Sequence, residues 1–229
     1  MTSTLTPLSP TDRTSLRRVR ERAESDRAAL HNVLTTGLMC HFGVVVDGSP
    51  LVFPTVYGFD PDGPDRDGTL YLHGSVAARS LLAAPDTSIC VTVTLIDGLV
   101  LARSAFHHSM NYRSAMIVGT PRIVTDADER DRALTIIVNH VVPDRADTLR
   151  AHTRKELAAT RVLALPLHEA SVKARSGDVN DEPEDIRPGA WAGVLPVQMT
   201  FGTPQTNADC EPGTPAPNDV LAIADRPRG

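Results

Sequence analysis

The stretch "LMCHFGVVVDGSPLVFPTVYGF", residues 38–59, restricts the fold more than any other part of the chain. Two β-rich runs meet at Asp47-Gly48, a dipeptide suited to a two-residue turn that needs φ > 0. An antiparallel hairpin follows, and with it a sheet assembled from sequence neighbours. Pro50 and Pro54 remove backbone donors from the second run, which places it at a sheet edge or beside a site.

The same rhythm returns along the chain. "TLYLH", "SICVTVTLI", "LVLARSAF", "YRSAMIVGTPRIV", "VLALPLHEASVKA" and "AWAGVLPVQMTF" read as further strands, with a second Asp-Gly turn at Asp97-Gly98. Helical patterns interrupt them. "SDRAALHNVLTTG" has Ser25 as its N-cap, Leu30, Val33 and Leu34 on one face, and Gly37 as its stop. "GSVAARSLLAAP" reads as a short helix starting at Gly74-Ser75 and ended by Pro85. "TDADERDRALTIIVNHVVP" has an acidic first turn and Leu134, Ile137, Val138 and Val141 at helical spacing, and "TRKELAATRVL" adds one more helix. Strands in hairpin order with inserted helices predict a mainly β fold, an antiparallel barrel with helical decoration. The domain spans 25–202, between a flexible segment with a charged helix at 1–24 and a Pro-, Asn- and Asp-rich tail at 203–229.

Several function classes drop out. A net charge of -5 and a pI near 5.9 leave no basic field for nucleic acid. Cys40, Cys90 and Cys210 have no C-x-x-C spacing, which argues against a zinc knuckle or a disulfide framework. The N-terminus has no apolar signal core, and no apolar run reaches the ~18 residues of a membrane span, so a cytoplasmic protein is expected. Dinucleotide and P-loop glycine motifs, H-E-x-x-H and G-x-S-x-G are all missing.

Two polar segments remain. In "SAFHHSMNYRSAMIVG", residues 104–119, His107 and His108 are adjacent. Neighbouring side chains on an extended strand point to opposite faces, so one metal does not readily take both. Tyr112 and Ser114 share one strand face and Asn111 and Arg113 the other, so one face suits a planar ligand or its phosphate and the other a partner subunit; a polar strand end is the plainer alternative. In "HGSVAARS", the free N–H groups of a helix starting at Gly74-Ser75 favour an anion, and Arg79 one turn on adds a charged donor. An ordinary capped helix with a surface arginine is the competing reading.

In order along the chain, "FPTVYG", "LYLHGSVAARSL", "CVTVTLIDGLVLARSAFHHSMNYRSAMIVG" and "WAGVLP" resemble the pyridoxamine 5'-phosphate oxidase-like family of FMN-binding split barrels over residues 25 to about 200. Within it, the branch that includes nitroimidazole-resistance proteins is most similar. The resemblance implies a six-stranded antiparallel split β-barrel that forms a homodimer with one FMN per subunit at the interface. It implies that His73, Gly74, Ser75 and Arg79 hold the phosphate, and that main chain at Phe53, Pro54 and Thr55 lines the isoalloxazine with Tyr57 nearby. Asn111, Tyr112, Arg113 and Ser114 would contact phosphate, ribityl or ring edge, and Trp191 would approach a ring or serve as a core aromatic.

The implied activity is a flavin-dependent oxidoreductase acting on a small molecule, with NADH or NADPH as a candidate electron source. The cofactor carries the redox chemistry, so the protein's task is to orient and tune it. Arg79 is the lone arginine of the phosphate segment and "WAGVLPVQ" has none, a departure from oxidases that make pyridoxal phosphate. The alternatives are a non-catalytic flavin-binding or sensing module, or a barrel holding FAD, a deazaflavin or haem, with His73 or His107 as the axial ligand of the haem. Whether the acidic loop at 177–189 closes over the site is open at this level.

Overall fold

A computed structural model describes residues 5–224; residues 1–4 and 225–229, the outer ends of the two expected terminal segments, lie outside the described residues. The strands are β1 (Ala23–Glu24), β2 (Cys40–Val46), β3 (Ser49–Thr55), β4 (Tyr57–Asp60), β5 (Thr69–Ser75), β6 (Ile89–Leu101), β7 (Ser109–Gly119), β8 (Arg122–Ile123), β9 (Thr160–Pro166), β10 (Ala170–Arg175) and β11 (Gly193–Pro196). The helices are α1 (Arg27–Thr36), α2 (Arg79–Ala83), α3 (Ala127–Val141), α4 (Arg154–Ala159) and α5 (Asn218–Ala224).

The strands form two antiparallel sheets, one in the order β1-β10-β7-β6-β2-β3 with β11 added to β6, the other β4-β5-β9-β8. The first crossing from the larger sheet to the smaller, between β3 and β4, takes a single residue, Val56. The sheets do not close on each other, and the fold is a split barrel. The strand count exceeds the six expected: β1 and β8, of two residues each, and β11 are short additions, and the eight other strands among the described residues still outnumber the expectation.

Side-chain alternation builds the core. Cys40, Phe42, Val44 and Val46 of β2 and Ile89, Val91, Val93 and Leu95 of β6 turn inward, against Leu70, Leu72, Leu163 and Leu165 of the smaller sheet. β5 is buried on both faces, because α3 packs Leu134 and Ile137 on the side that carries Tyr71. The hairpin forms as expected, with Asp47 at φ 50 and Gly48 at φ 75, and β3 is a sheet edge.

Four local expectations change. Asp26, not Ser25, caps α1, accepting the Ala28 N–H at 2.9 Å, while the Ser25 carbonyl takes the Leu8 N–H. Asp97-Gly98 is not a turn: β6 runs through it with a bulge, because β7 pairs along its whole length. Gly74 and Ser75 close β5 rather than open a helix, since they pair with Arg161 and Thr160 of β9; α2 starts at Arg79. The expected charged N-terminal helix is a single 3-10 turn, Arg20–Arg22. Within the expected tail, α5 forms and Asp219 pairs with Arg145 at 3.2 Å. Among the described residues, no helix is long and apolar enough to cross a membrane.

The N-terminal segment is fastened by Arg27, which is buried at the start of α1. Its guanidinium donates to the carbonyls of Thr6, Leu167 (2.7 Å) and His168 (2.8 Å) and to Asp67 (3.2 Å). Burial works to raise the Asp67 carboxyl, but the Thr6 N–H, His168 and Arg27 outweigh it and hold it below 3.8. Arg27→Met takes the cation from beside the buried Asp67 carboxylate and the donor from three carbonyls, so it should cost ~3–5 kcal/mol in urea unfolding, whereas Arg150→Gln at an exposed pair leaves the midpoint unchanged. Because the Asp67 carboxyl is depressed in the folded state, its contribution is complete above pH 3.8 and lost as pH falls through its lower folded value. The acid limb of stability against pH should therefore be shallower in Asp67→Asn.

Candidate functional site

The outer face of the larger sheet is uncovered. Register places Pro54, His41, Thr92 and Met116 in one row, Thr94 and Ser114 in the next, then Ile96 and Tyr112, then Leu195, Leu99 and Met110. The bulge decides the last row. With the extra residue at Asp97, Leu99 falls on the same side as Ile96 instead of turning into the core. Val52 is 66% exposed, Leu195 54% and Ile96 48%. Apolar residues aligned in this way on an open face mark a surface for a ligand or a partner.

β3 borders that face and is paired only with β2, so alternate main-chain N–H and C=O groups along it have no ladder partner. Phe53 faces the core side at this edge, its ring 6.5 Å from that of Phe42, while Pro54 points outward and Thr55 closes the strand. Tyr57 lies elsewhere. It is fully buried, its hydroxyl donates to the Leu34 carbonyl at 2.7 Å with the Gly37 carbonyl at 3.0 Å, and its ring sits 4.4 Å from His140. It anchors the end of α1.

The 73–79 segment differs from the expectation in its chemistry. A Cβ on Gly74 would lie 2.7 Å from Leu81 Cδ1, so this glycine lets α2 pack against β5. The Ala77 N–H donates to Ser75 Oγ, the Val76 N–H to the Ala159 carbonyl and the Ala78 N–H to the Ser75 carbonyl. Donors expected to be free for an anion are already engaged. What remains is Arg79, exposed and paired with the equally exposed Asp47, which sets it at the hairpin end of β3. His73 points instead into a cavity of about 210 Å³ walled by Leu134, Ile137, Val138 and Leu157. Its Nδ1 is buried without a partner, and desolvation lowers its pKa, which keeps the imidazole neutral.

Residues 111–114 split between the two faces. Tyr112 and Ser114 lie outward, with Ser114 Oγ donating to the Lys173 carbonyl at 3.3 Å. Arg113 turns the other way and forks onto Asp97 at 2.7 and 3.1 Å, with Asn32 at 2.8 Å. The Asp97 bond raises its pKa, and the guanidinium lines a cavity of about 350 Å³ with Thr36 and Met199. Asn111 donates to the Gly177 carbonyl at 3.0 Å and accepts from Arg175. Trp191 is 69% exposed, not a core aromatic.

The paired histidines do not converge: His107 Nε2 is 3.8 Å from Glu182, and His108 Nδ1 is 2.8 Å from the Ser104 carbonyl. Among the described residues, no three His, Cys, Asp or Glu side chains are grouped to hold a metal. One clamp was invisible in the sequence. Asp181, in the acidic loop, accepts the Arg103 N–H (2.9 Å) and its guanidinium (2.7 Å), which ties that loop beside residues 103–111. Seventy-eight residues separate the partners, and nothing local singles out one acid of that run.

No nucleophilic cysteine emerges. Burial pushes the Cys40 thiol up to about 12, while Cys210 is exposed. Brief iodoacetamide treatment of the folded protein, followed by peptide mass spectrometry, should find Cys210 alkylated and Cys40 intact. Early modification of Cys40 would contradict this arrangement.

Residues 26–174 match the family described as pyridoxamine 5'-phosphate oxidase. Among solved structures, the chain is similar to the flavocytochrome Anf3 from Azotobacter vinelandii, with 34% identity, 95% of this chain and 99% of that chain covered, and a TM-score of 0.85. It is also similar to the FAD and haem binding protein from Mycobacterium smegmatis, with 38% identity, coverage of 88% and 97%, and a TM-score of 0.80. A putative 5-nitroimidazole antibiotic resistance protein from Bacteroides thetaiotaomicron shares the fold at 24% identity, with coverage of 66% and 85% and a TM-score of 0.54. No protein of curated function matches. A split barrel of this topology, matched by the family over well more than half its length, makes the chain a member of the pyridoxamine 5'-phosphate oxidase family.

Proposed function

We propose that this protein is a flavin-nucleotide-binding redox protein, and that it works as a homodimer on a small-molecule substrate. The observation that carries the reading is the uncovered outer face of the larger sheet, bordered by an edge strand with free main-chain groups. An isoalloxazine ring has an apolar face and a hydrogen-bonding rim. The adjacent rows that hold Ile96 and then Leu195, Leu99 and Met110 suit the face, and β3 main chain near Pro54 suits the rim. Arg79, at the hairpin end of the same strand, suits the phosphate, and Tyr112 and Ser114 project from the same face.

Two similar structures that span nearly all of this chain are described as a flavocytochrome and as an FAD and haem binding protein, which supports a flavin and sets FAD beside FMN. A bound flavin supplies hydride or single-electron exchange; the chain orients it and excludes water. A second copy covering the face removes from water the apolar surface the flavin leaves open.

The absorption spectrum of the purified protein, with mass identification of the small molecule released by heat, tests the reading. Flavin bands are expected, and a colourless protein that binds neither FMN nor FAD would overturn it. Arg79→Ala should weaken flavin binding by roughly tenfold or more, the worth of one charge-assisted bond. Light scattering should find a dimer, and Ile96→Glu, which puts a charge on the face, should yield monomer.

A second reading rests on His73. A neutral, desolvated imidazole with an unpartnered Nδ1 is a suitable haem donor. The donor fits and the volume does not, because about 210 Å³ lies below the ~300–1,000 Å³ usual for ligand pockets. Haem there requires the 149–157 segment to move. A Soret band on haemin addition, lost in His73→Ala while flavin binding persists, is the signature of that reading.

A further inference from the structure

A groove of about 270 Å³ lies between the start of α3, α4 and the first residues of β9, and two arginines, Arg130 and Arg161, line it. Arg130 Nε is buried without a hydrogen-bond partner. Arg161 makes one bond, to the Leu81 carbonyl at 3.2 Å. Among the described residues, neither guanidinium has a carboxylate within ion-pair distance. The arginines that hold the fold together behave differently: Arg27, Arg103, Arg113 and Arg122 each face one.

Nearby acids are already committed. Asp126 caps α3 through the Glu129 N–H at 2.8 Å. Glu129 is held by Arg122 and by the Tyr71 hydroxyl. The buried, unpartnered donor on the charged Arg130 is costly to leave unmade, and Arg161 adds a second positive charge to the lining of the same groove. An anion in the groove would supply what the chain does not.

We propose that Arg130 and Arg161 form a binding site for a phosphate group carried by a small organic molecule. Two guanidinium forks balance the two charges of a phosphate or diphosphate, whereas one carboxylate leaves a positive charge uncompensated. Thr125 and Thr160 line the same groove, and Val76 and Leu157 give an apolar body something to rest on. Val76 belongs to the turn that leads from β5 to Arg79, so the phosphate comes either from the far end of the flavin nucleotide or from a separate phosphorylated molecule.

The test is calorimetric titration of the full chain, dialysed free of small molecules, with inorganic pyrophosphate at low ionic strength. Saturable binding is expected in the wild type. Arg130→Gln and Arg161→Gln should each weaken it about tenfold, Arg130→Lys should recover part of the loss, and Arg154→Gln on exposed α4 should leave it unchanged. Thermal melts separate folding from binding. Arg130→Gln should melt no lower than wild type, since it removes an unpaired charge, while pyrophosphate should raise the midpoints of wild type and Arg154→Gln equally and those of Arg130→Gln and Arg161→Gln by less.

Competition of pyrophosphate with FMN or FAD assigns the site to the nucleotide's own phosphate, and independent binding assigns it to a second molecule. Both outcomes support the proposal, and neither needs the flavin reading, because pyrophosphate binding is read without flavin. Absence of binding at millimolar pyrophosphate, or equal binding by the Arg130→Gln/Arg161→Gln double variant, overturns it.

Discussion

Asp97 is one residue too many for the ladder between β6 and β7, and the two-pronged bond from Arg113 holds it in place. The consequences spread from there. The extra residue keeps Ile96 and Leu99 on one face, which gives the outer surface its apolar rows. On the edge of β6 away from β7, β11 pairs with Gly98–Leu101, where Gly98 meets Pro196, and the carbonyl of the extra residue, Asp97, takes the Val197 N–H at 3.1 Å. A Cβ at Gly98 would come 3.1 Å from Val194 Cγ1 and 3.2 Å from the Leu195 carbonyl oxygen, a crowding that glycine avoids. The bulge thus positions β11, and with it the exposed Trp191 just before it.

The strand pattern was readable because alternation is a local property, and the sequence places Cys40, Phe42, Val44 and Val46 inward without help from elsewhere. The hairpin at Asp47-Gly48 was readable for the same reason. The Asp97-Gly98 error is instructive: the same dipeptide becomes a bulge when an opposite strand continues past it, and that strand is not in the local sequence. Gly74 has the local look of a helix start, yet its reason for being glycine is the side chain of Leu81, which reaches it only after α2 packs down. Local chemistry names the residues that permit a turn or a close approach, and tertiary pairing decides which of these occurs.

The site shows the same division. Tyr112 and Ser114 fall on one face and Asn111 and Arg113 on the other, as strand geometry requires. Which face is open follows from the sheet as a whole. Arg113, which the family resemblance places at the cofactor, is committed to Asp97 and Asn32, whereas Arg79 is held only by an exposed carboxylate at a hairpin tip. An exposed pair of this kind is weak and salt-screened, so Arg79 gives up little to exchange Asp47 for a phosphate. What separates a ligand-binding arginine from a structural one is its competitor, and partners 16 to 78 residues away set that competition.

The helical insertion between β8 and β9 extends the argument to the smaller sheet. Leu157 borders both the His73 cavity and the Arg130–Arg161 groove, so one short helix roofs two places where a buried nitrogen has no partner. Native interiors leave few such groups unsatisfied. α4 has six residues, none of them buried, and is secured by its Thr153–Glu156 capping box and an exposed Arg150–Glu156 pair. A roof so lightly fastened over unmet donors differs from α3, which is packed through Leu134 and Ile137 onto Tyr71 and Val162. The packed helix gives the sheet its stability, and the light one leaves the donors beneath it accessible to a ligand.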